Sequence, residues 1–304
     1  MIKRYTHKHL VWIDIENPTS EEVRGLMQEF DLHPSVAQEL LLPTIKPRVE
    51  LHKNMIYLIL HFPALKHAHT GDMNQEIDFV IGENFIITTR YESIDPLLKF
   101  SQIFEVNSIL DRSNMGNHAG YIFYYMIKEM YQSLANELDS LKDSLKEIEN
   151  EIFNGREREM VMAISKVSRD LLNFHHATSA HKQILRSLES ASLNFFGENF
   201  SYYIKDVVNE YYKIDNNTES NIESLRELRD TNNSLLTTKQ NEITKTLTVM
   251  AFIILPLSLI SSIYSMNTSF VPLTGSKNDF WIITGIMAAV GVIIFLVFKG
   301  KKWL

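Results

Sequence analysis

Two long segments without a charged residue place the tightest constraint on how this chain can fold. Residues 246–266 and residues 280–298 hold 21 and 19 uncharged, mostly apolar positions, and thirteen residues separate them. A helix needs about 20 apolar residues to cross the hydrocarbon core of a bilayer. Both segments are therefore predicted to be transmembrane helices, in preference to core helices of a soluble protein.

The placement of lysine predicts how these helices are oriented. One lysine, Lys277, lies between the two segments, and five lie just outside them: Lys239, Lys245, Lys299, Lys301 and Lys302. Cytoplasmic flanks carry the excess of basic residues. No apolar run of signal-peptide length precedes Asp14 and Glu16. We therefore expect a multi-pass protein of the cell membrane with both termini in the cytoplasm.

Composition excludes several classes of function. The formal net charge of −7 disfavours nucleic acid as a partner, because binding phosphates requires a dense basic surface. Cysteine is absent, so thiolate chemistry and Cys-ligated zinc are excluded, and any metal must be held by oxygen or imidazole. The sequence has no phosphate-binding glycine loop, no HExxH motif and no catalytic triad identifiable by spacing. We expect a protein that is not an enzyme.

One face of the first apolar segment is polar or small. Steps of three and four residues along a helix collect Asn241, Thr244, Thr248, Ala251, Leu255, Ser258 and Ser262 on this face, which we call the stripe. The opposite face is apolar, with Val249, Ile253 and Ile260. Two helices of one chain enclose no pore, so the stripe favours a water-lined pore built from several copies. A close helix–helix contact is the alternative, since small residues let membrane helices approach.

The segments before the membrane are predicted to be long helices. Apolar residues from Ile127 to Ile152 recur at spacings of four and three, and after FNGRER a returning helix runs from Val161 to Leu188. From Phe200 a third helix continues without proline or glycine into the first apolar segment. Six of its asparagines favour either a hydrated lumen between identical helices or an exposed stalk: Asn216, Asn217, Asn221, Asn232, Asn233 and Asn241.

The first 110 residues mix strands and short helices. Leu10–Ile15 reads as a strand, and helices are predicted after Pro18 and from His33-Pro34. Residues 49–52 with 55–62, and residues 77–81 with 85–89, form two predicted hairpins. This pattern is typical of a small α/β domain with a largely antiparallel sheet.

Several motifs together resemble the CorA family of magnesium channels over essentially the whole chain. They are the run QNEITKTLTVMAFIILPLSLISSIYSMN, the final FKGKKWL, and the stretches DIENPTSEEV, FDLHPSVAQELL and PRVELHKNMIYLIL. Members of that family have a Leu-Pro-Leu in the first span, a Tyr-Gly-Met-Asn signature and a basic Lys-Lys-Trp-Leu tail.

The resemblance implies a funnel-shaped homopentamer in the lipid bilayer, with the first span of each copy lining the pore. The implied fold is an α/β cytoplasmic domain, a long helical stalk and two C-terminal transmembrane helices. The predicted parts are the cytoplasmic α/β domain 1–110, the helical hairpin arms 111–198, the stalk helix 199–245, the first transmembrane helix 246–266, the outer loop 267–279, the second transmembrane helix 280–298 and the basic cytoplasmic tail 299–304.

The resemblance also implies roles for single residues. The pore mouth would be formed by Tyr264, Ser265, Met266 and Asn267, with Asn267 holding a hydrated cation. Magnesium gives up its water shell reluctantly, so neutral oxygens can hold it through its waters. Asn241, Thr244, Leu247 and Leu255 take pore-facing positions, and the two leucines are candidate hydrophobic gates. A divalent cation would be substrate and regulator, and no other cofactor is expected.

Two aspartates match acidic residues of the stalk. Asp206 corresponds to one that binds regulatory magnesium between subunits, and Asp230 to another stalk acid. Loss of the ion would loosen the ring and open the pore, because the carboxylates then repel. The partner acid stays open among Asp72, Glu76 and Asp78, and a solvated Asp206 without metal is the alternative.

The sequence departs from the family signature at two glycine positions. Ser265 precedes Met-Asn, and Ser262 lies three residues earlier, where glycine would allow backbone geometries that serine resists. The loop FVPLTGSKNDF also lacks the usual acidic residue after its proline. Two alternatives follow. Zinc, nickel or cobalt would be the ion, given His61, His67 and His69, or the chain would be a non-conducting membrane scaffold or sensor.

Overall fold

The computed structural model describes residues 2–44, 46–63, 74–109, 116–266, 278–301 and 303. The chain divides into two compact units, Met1–Arg229 and Asp230–Leu304. The first unit contains a six-stranded sheet and most of the helices. The second contains the end of the longest helix and the last helix.

The sheet has the strand order β1-β2-β6-β5-β4-β3. Its strands are β1 Ile2–His7, β2 Leu10–Glu16, β3 Arg48–Leu51, β4 Ile56–Pro63, β5 Asn74–Ile81 and β6 Phe85–Arg90. Every pairing is antiparallel except that of β2 with β6, in which Val11 lies opposite Phe85. The predicted hairpins and the largely antiparallel sheet are confirmed. Strand β1 was not predicted, because it is an edge strand whose side chains are mostly exposed and so leaves no apolar pattern.

The first two helices begin where the sequence predicts them. Helix α1, Ser20–Phe30, starts with a capping box in which Thr19 and Glu22 bond each other's backbone N–H groups. Helix α2, Pro34–Glu39, is capped by His33, whose Nδ1 accepts from the Ser35 N–H at 3.3 Å. Helix α3, Asp95–Ile109, was not predicted, because exposed Ile103 blurs the helical spacing of its buried apolar residues.

Helices cover both faces of the sheet. Helices α1 and α2 pack on one face, where Val23, Leu26 and Val36 join Ile13 and Ile87 in one buried cluster. On the other face, the ring centroid of Trp12 of β2 lies 5.4 Å from that of Phe100 and 5.6 Å from that of Phe104, both on α3. Strands buried on both faces read as continuous apolar runs, which explains the composition of β4 and β5.

The arms form three helices where two were predicted. Helix α4, Gly120–Phe153, buries the whole apolar seam from Ile127 to Ile152, and the chain turns at Asn154–Arg156. The returning helix is interrupted at Ala180 into α5, Glu157–Ser179, and α6, His181–Phe196. Buried His181 fixes the start of α6, since its Nε2–H donates to the His61 carbonyl at 2.8 Å and its Nδ1 accepts from the Tyr131 hydroxyl at 3.0 Å.

Helix α7, Glu198–Tyr264, is a single helix of 67 residues, as the absence of proline and glycine before the membrane predicts. Four of the six asparagines singled out in the sequence are exposed: Asn216, Asn217, Asn233 and Asn241. Asn221 and Asn232 are buried, and the Asn221 amide donates to the Leu138 carbonyl at 3.3 Å. The prediction that all six asparagines line a lumen or an exposed surface is wrong for these two residues. Helix α8 spans Asp279–Gly300.

Candidate functional site

The second unit exposes many large apolar side chains, and this exposure is unfavourable in water. Helices α7 and α8 are long and apolar enough to cross a membrane. Helix α8 buries none of its residues, and Phe280 and Trp281 are each at least 70% exposed. An apolar surface of this extent requires lipid or a partner to cover it.

The end of α7 packs against α8 through its apolar side. The Phe252 and Phe298 rings lie 6.0 Å apart, and a Cβ placed on Gly291 would lie 3.9 Å from Cδ1 of Leu257. These pairs set the two helices antiparallel. Val249, on the same side of α7, is buried.

The stripe does not take part in this packing. Its exposed residues are Asn241, Thr244, Ala251, Leu255, Ser258 and Ser262, while Thr248 is half-buried. Leu247, the other predicted pore-facing residue, is also exposed, so both candidate gates, Leu247 and Leu255, lie open on this side. The stripe is therefore not the contact with α8 of the same chain, and it stays open to solvent or to other copies.

The hydroxyls on this helix have defined roles in hydrogen bonding. Thr248 Oγ1 donates to the Thr244 carbonyl at 2.8 Å, and Thr246 Oγ1 donates to the Glu242 carbonyl at 3.0 Å. A hydroxyl that donates to its own helix presents its oxygen lone pairs outward as acceptors. Acceptors are what the water shell of a cation needs.

The predicted mouth begins where α7 ends. The Ser265 N–H donates to the Ser261 carbonyl at 3.0 Å, the Ser265 Oγ donates to the same oxygen at 2.8 Å, and the Met266 N–H donates to the Ile263 carbonyl at 3.3 Å. Tyr264 is half-buried. Asn267 and the rest of the loop up to residue 277 lie outside the described residues.

Serine fits both positions where the family has glycine. Among the described residues the non-glycine residues with positive φ are Lys8, Asn17 and Asp31, so Ser265 keeps an ordinary backbone conformation. Ser262 is helical. Glycine's conformational freedom is not needed at either position, and serine adds a bond that satisfies a helix-end carbonyl.

Asp206 has partners inside its own chain. Its Oδ2 accepts from the Tyr124 hydroxyl at 2.6 Å and from Lys128 Nζ at 3.0 Å, both on α4. These two bonds, that of Tyr124 first, lower the pKa of Asp206. The hydrogen bonds that Lys128 makes to the Tyr124 hydroxyl and to Asp206 raise the pKa of Lys128. A regulatory cation at Asp206 would have to compete with Lys128. Asp230, the other predicted ligand, is exposed.

The two described candidates for the partner acid are held within the sheet. Glu76 accepts from the Thr44 N–H and contacts His61, while Asp78 accepts from the Tyr57 and Thr89 hydroxyls. Both carboxylates are buried within their own chain. Asp72, His67 and His69 lie outside the described residues. The described residues contain no group of three or more His, Asp or Glu side chains able to hold a metal ion.

The sequence interpretation missed the contact of Tyr124 and Lys128 with Asp206. Tyr124 and Lys128 are four residues apart and share one face of α4, a signal that the sequence offers. Their partner lies about 80 positions further along the chain, on α7, and no local pattern reveals that pairing.

Known proteins resemble this chain along nearly all of its length. The model of the family described as "CorA-like Mg2+ transporter protein" matches residues 7–301. The cobalt/magnesium transport protein CorA of Thermotoga maritima is 24% identical over 299 residues, which covers 96% of this chain and 83% of that protein. The protein of the same name from Methanocaldococcus jannaschii is 24% identical over 295 residues, covering 97% and 92%.

The fold also matches a solved structure. The complete structure of the CorA magnesium transporter from Methanocaldococcus jannaschii superposes with a TM-score of 0.84 at 23% identity. The match covers 99% of this chain and 93% of that one. The α/β domain, the long helix and the two C-terminal apolar helices are therefore those of that fold.

Proposed function

This chain belongs to the CorA-like Mg2+ transporter family, and from that premise we propose that it is a homopentameric channel that carries magnesium across the cell membrane. Transport of a divalent cation needs no bond chemistry. We accordingly propose no enzymatic activity and no cofactor other than the transported ion.

The exposed stripe on α7 is the observation that carries the proposal. It lies on the side of the helix away from Leu257, whose side chain lies beside Gly291 of α8. One chain has two spans and cannot enclose a pore, so five copies would place their stripes around one axis. The side chains of Thr248, Ser258 and Ser262 would then supply acceptors to a hydrated ion.

Selection would take place at the mouth. A ring of Asn267 amide oxygens would hold magnesium through its water shell, because that ion dehydrates reluctantly. Ser265 is compatible with this assignment, since its ordinary backbone conformation shows that glycine is not needed at that position. Leu247 and Leu255 would close the pore by excluding water.

The membrane potential would drive entry. With both termini in the cytoplasm, a negative interior favours inward movement by about 2.3 kcal/mol per charge for each 100 mV. Cytoplasmic divalent ions would regulate the pore between subunits at Asp206, in competition with Lys128. To bind at Asp206, such an ion would have to replace the ion pair between Asp206 and Lys128 of the same chain.

Magnesium uptake into proteoliposomes tests the proposal. The parent protein should accumulate magnesium under an inside-negative potential, and Asn267→Ala should reduce uptake or its selectivity by at least tenfold. Asn278→Ala, a second asparagine of the segment between the spans, is the matched control and should leave uptake unchanged. Equal uptake by the parent and Asn267→Ala would show that Asn267 does not form a selectivity ring. A protein that carries no divalent current under any condition would instead be a non-conducting scaffold.

Cobalt, zinc or nickel is the second candidate for the ion. The names of two relatives include cobalt together with magnesium. Competition in one flux assay separates these candidates. Magnesium as the main substrate predicts that equimolar cobalt, zinc or nickel leaves most magnesium uptake intact, whereas strong inhibition with transport of the competing ion would reverse the assignment.

A further inference from the structure

A cavity in the first unit lies apart from the predicted conduction path. It has a volume of about 400 Å³ and opens where β4 ends, where β5 begins and where α5 gives way to α6. Its walls include Glu76 and Glu92, two carboxylate side chains. Cavities of this size hold small organic molecules. Nothing in the proposed transport mechanism uses it.

Glu76 places a buried, hydrogen-bonded carboxyl group in one wall. Its side chain is 5% exposed. Its two carboxylate oxygens accept from the Thr44 N–H at 2.9 and 2.8 Å, and His61 Nε2 lies 3.2 Å from Oε2. Donors of this kind stabilise a buried carboxylate in its charged form.

A second carboxyl group, Asp78, lies two residues from Glu76 on the same strand and is buried. Burial raises the pKa of Asp78 well above its usual range, and neighbouring Glu76 raises it further. This environment favours the protonated form of Asp78.

Glu92 adds a second carboxylate without a compensating charge. Its Oε2 is buried and has no hydrogen-bond partner among the described residues. The nearby Arg90 guanidinium donates to the backbone carbonyl of Glu92 at 2.8 Å, and its ion pairs are with Asp14 and Glu16. A buried carboxylate oxygen without a donor is unfavourable, and a ligand that donates to it would be bound.

The remaining walls mix apolar and polar residues. Pro43, Pro47, Ala177, Ala180 and Tyr91 supply the apolar part, and Thr44, His61, Asn74, Gln75 and His176 supply the polar part. No lysine or arginine belongs to the lining that the structure describes. The described residues also lack a three-ligand metal group, so a bare ion fits less well than a molecule with an aliphatic body.

We propose that this cavity binds a small aliphatic ammonium compound, with a diamine as the best fit. One ammonium would donate to Glu92 and the other would lie against Glu76. The aliphatic chain would contact the two prolines and Ala177. The Tyr91 ring offers a face for a cation.

Binding to the full-length protein in detergent tests the proposal. Thermal unfolding and calorimetry at pH 8, where ordinary histidines are neutral, would use 1,4-diaminobutane and 1,4-butanediol as probes at constant ionic strength. The diamine should raise the unfolding temperature saturably and release heat, because a ligand of the folded state stabilises it. Equal binding of the neutral diol, or no binding of the diamine, would overturn the proposal.

Two variants locate the site. Glu92→Gln keeps the shape and removes the charge, and it should weaken diamine binding at least tenfold. Glu105→Gln, an exposed glutamate on α3, is the matched control and should bind as the parent does. Ala180→Leu fills the cavity from a second side and should also abolish binding. Unchanged affinity in Glu92→Gln and Ala180→Leu would place the diamine elsewhere.

Magnesium and the mouth variant separate this site from the transport proposal. Magnesium chloride should not displace the diamine, and Asn267→Ala should bind it as tightly as the parent protein. Displacement at low magnesium concentration would assign the cavity to the metal and overturn the ammonium proposal. A failure of magnesium uptake leaves the diamine result standing, because the two sites share no residue.

Discussion

The two units differ in the burial and hydrogen bonding of their polar side chains. In the first unit, buried polar groups pair with one another: Arg90 lies 3.2 Å from Asp14, and His181 is bonded to Tyr131 and to a backbone carbonyl. In the second unit, most polar residues of α7 are exposed, with Asn232 as a buried exception, and the hydroxyls of Thr246 and Thr248 donate to carbonyls of the same helix. The first unit pairs many of its buried polar groups internally, whereas the second exposes an apolar surface that requires lipid or a partner to cover it.

The largest effect should come from breaking the buried pair in the first unit. Asp14→Ala leaves the Arg90 guanidinium, 2% exposed, with the half-exposed Glu16 as its remaining carboxylate partner among the described residues. We expect a loss of about 3 kcal/mol in the free energy of unfolding, since an uncompensated buried charge is strongly destabilising. Urea unfolding followed by circular dichroism measures it.

The matched control for Asp14→Ala is Asp143→Ala, which removes an exposed ion pair with Lys146 on α4. It should change stability by less than about 1 kcal/mol. Similar losses in the two variants would show that the first unit does not depend on its buried pairs and would weaken the contrast with the second.

A pH dependence should follow from His181. Burial lowers the pKa of His181 to about 4, whereas an unfolded histidine titrates near 6.5. As pH falls from 6.5 to 4 the unfolded chain binds the proton first, so stability decreases over this window, by about 3 kcal/mol for a shift of this size. His181→Gln should flatten the pH profile of unfolding, and His176→Gln, at an exposed position, should not. Equal slopes in these two variants would contradict the assignment.

The second unit should respond in transport, with little change in stability. Thr248→Val removes one hydroxyl of the stripe, and Thr284→Val removes one on α8 that also donates to its own helix, at 2.7 Å. We expect Thr248→Val to lower magnesium uptake about tenfold, which corresponds to about 1.4 kcal/mol. Thr284→Val should transport at the parent rate. An equal loss of magnesium uptake in both variants would indicate that the hydroxyls act through helix packing and that Thr248 does not line a water-filled pore.

The smallest effect should come from the pair that joins the arm to the stalk helix. Lys128→Met removes the ion pair with Asp206 and leaves its bond from Tyr124. Because the Asp206 side chain is 35% exposed, the free energy of unfolding should change by less than about 1 kcal/mol. The pKa of Asp206 should rise, because Lys128 no longer helps to lower it. If a regulatory cation binds at Asp206, closure should need severalfold less magnesium. Flux at graded cytoplasmic magnesium measures this, with Lys146→Met as the control.

Local patterns in the sequence predicted most of the fold. The capping box at Thr19 fixed the start of α1, the apolar seam predicted α4, and the absence of proline and glycine before the membrane predicted one long α7. Strand β1 was missed because an exposed edge leaves no apolar pattern. The break at Ala180 was missed because His181 is anchored by residues distant in sequence.

The candidate site was predictable to a smaller extent. The stripe follows from helical spacing, and its exposure away from α8 agrees with that pattern. The partners of Asp206 did not follow, because Tyr124 and Lys128 lie on another helix. Glu76 and Asp78 were considered for a contact between subunits, but β5 is buried on both faces, so strand alternation gives no sign of which side they face.

The absence of cysteine allows a direct test of the central claim, that the stripe lines a wet axis shared by several copies. Ala251→Cys lies on the stripe, and Met250→Cys lies one residue away at the same depth, about 100° around the helix. In proteoliposomes, a hydrophilic cationic thiol reagent should modify Ala251→Cys and block its magnesium uptake, while Met250→Cys should stay unmodified and active. Modification and block of Met250→Cys with an inert Ala251→Cys would contradict the account.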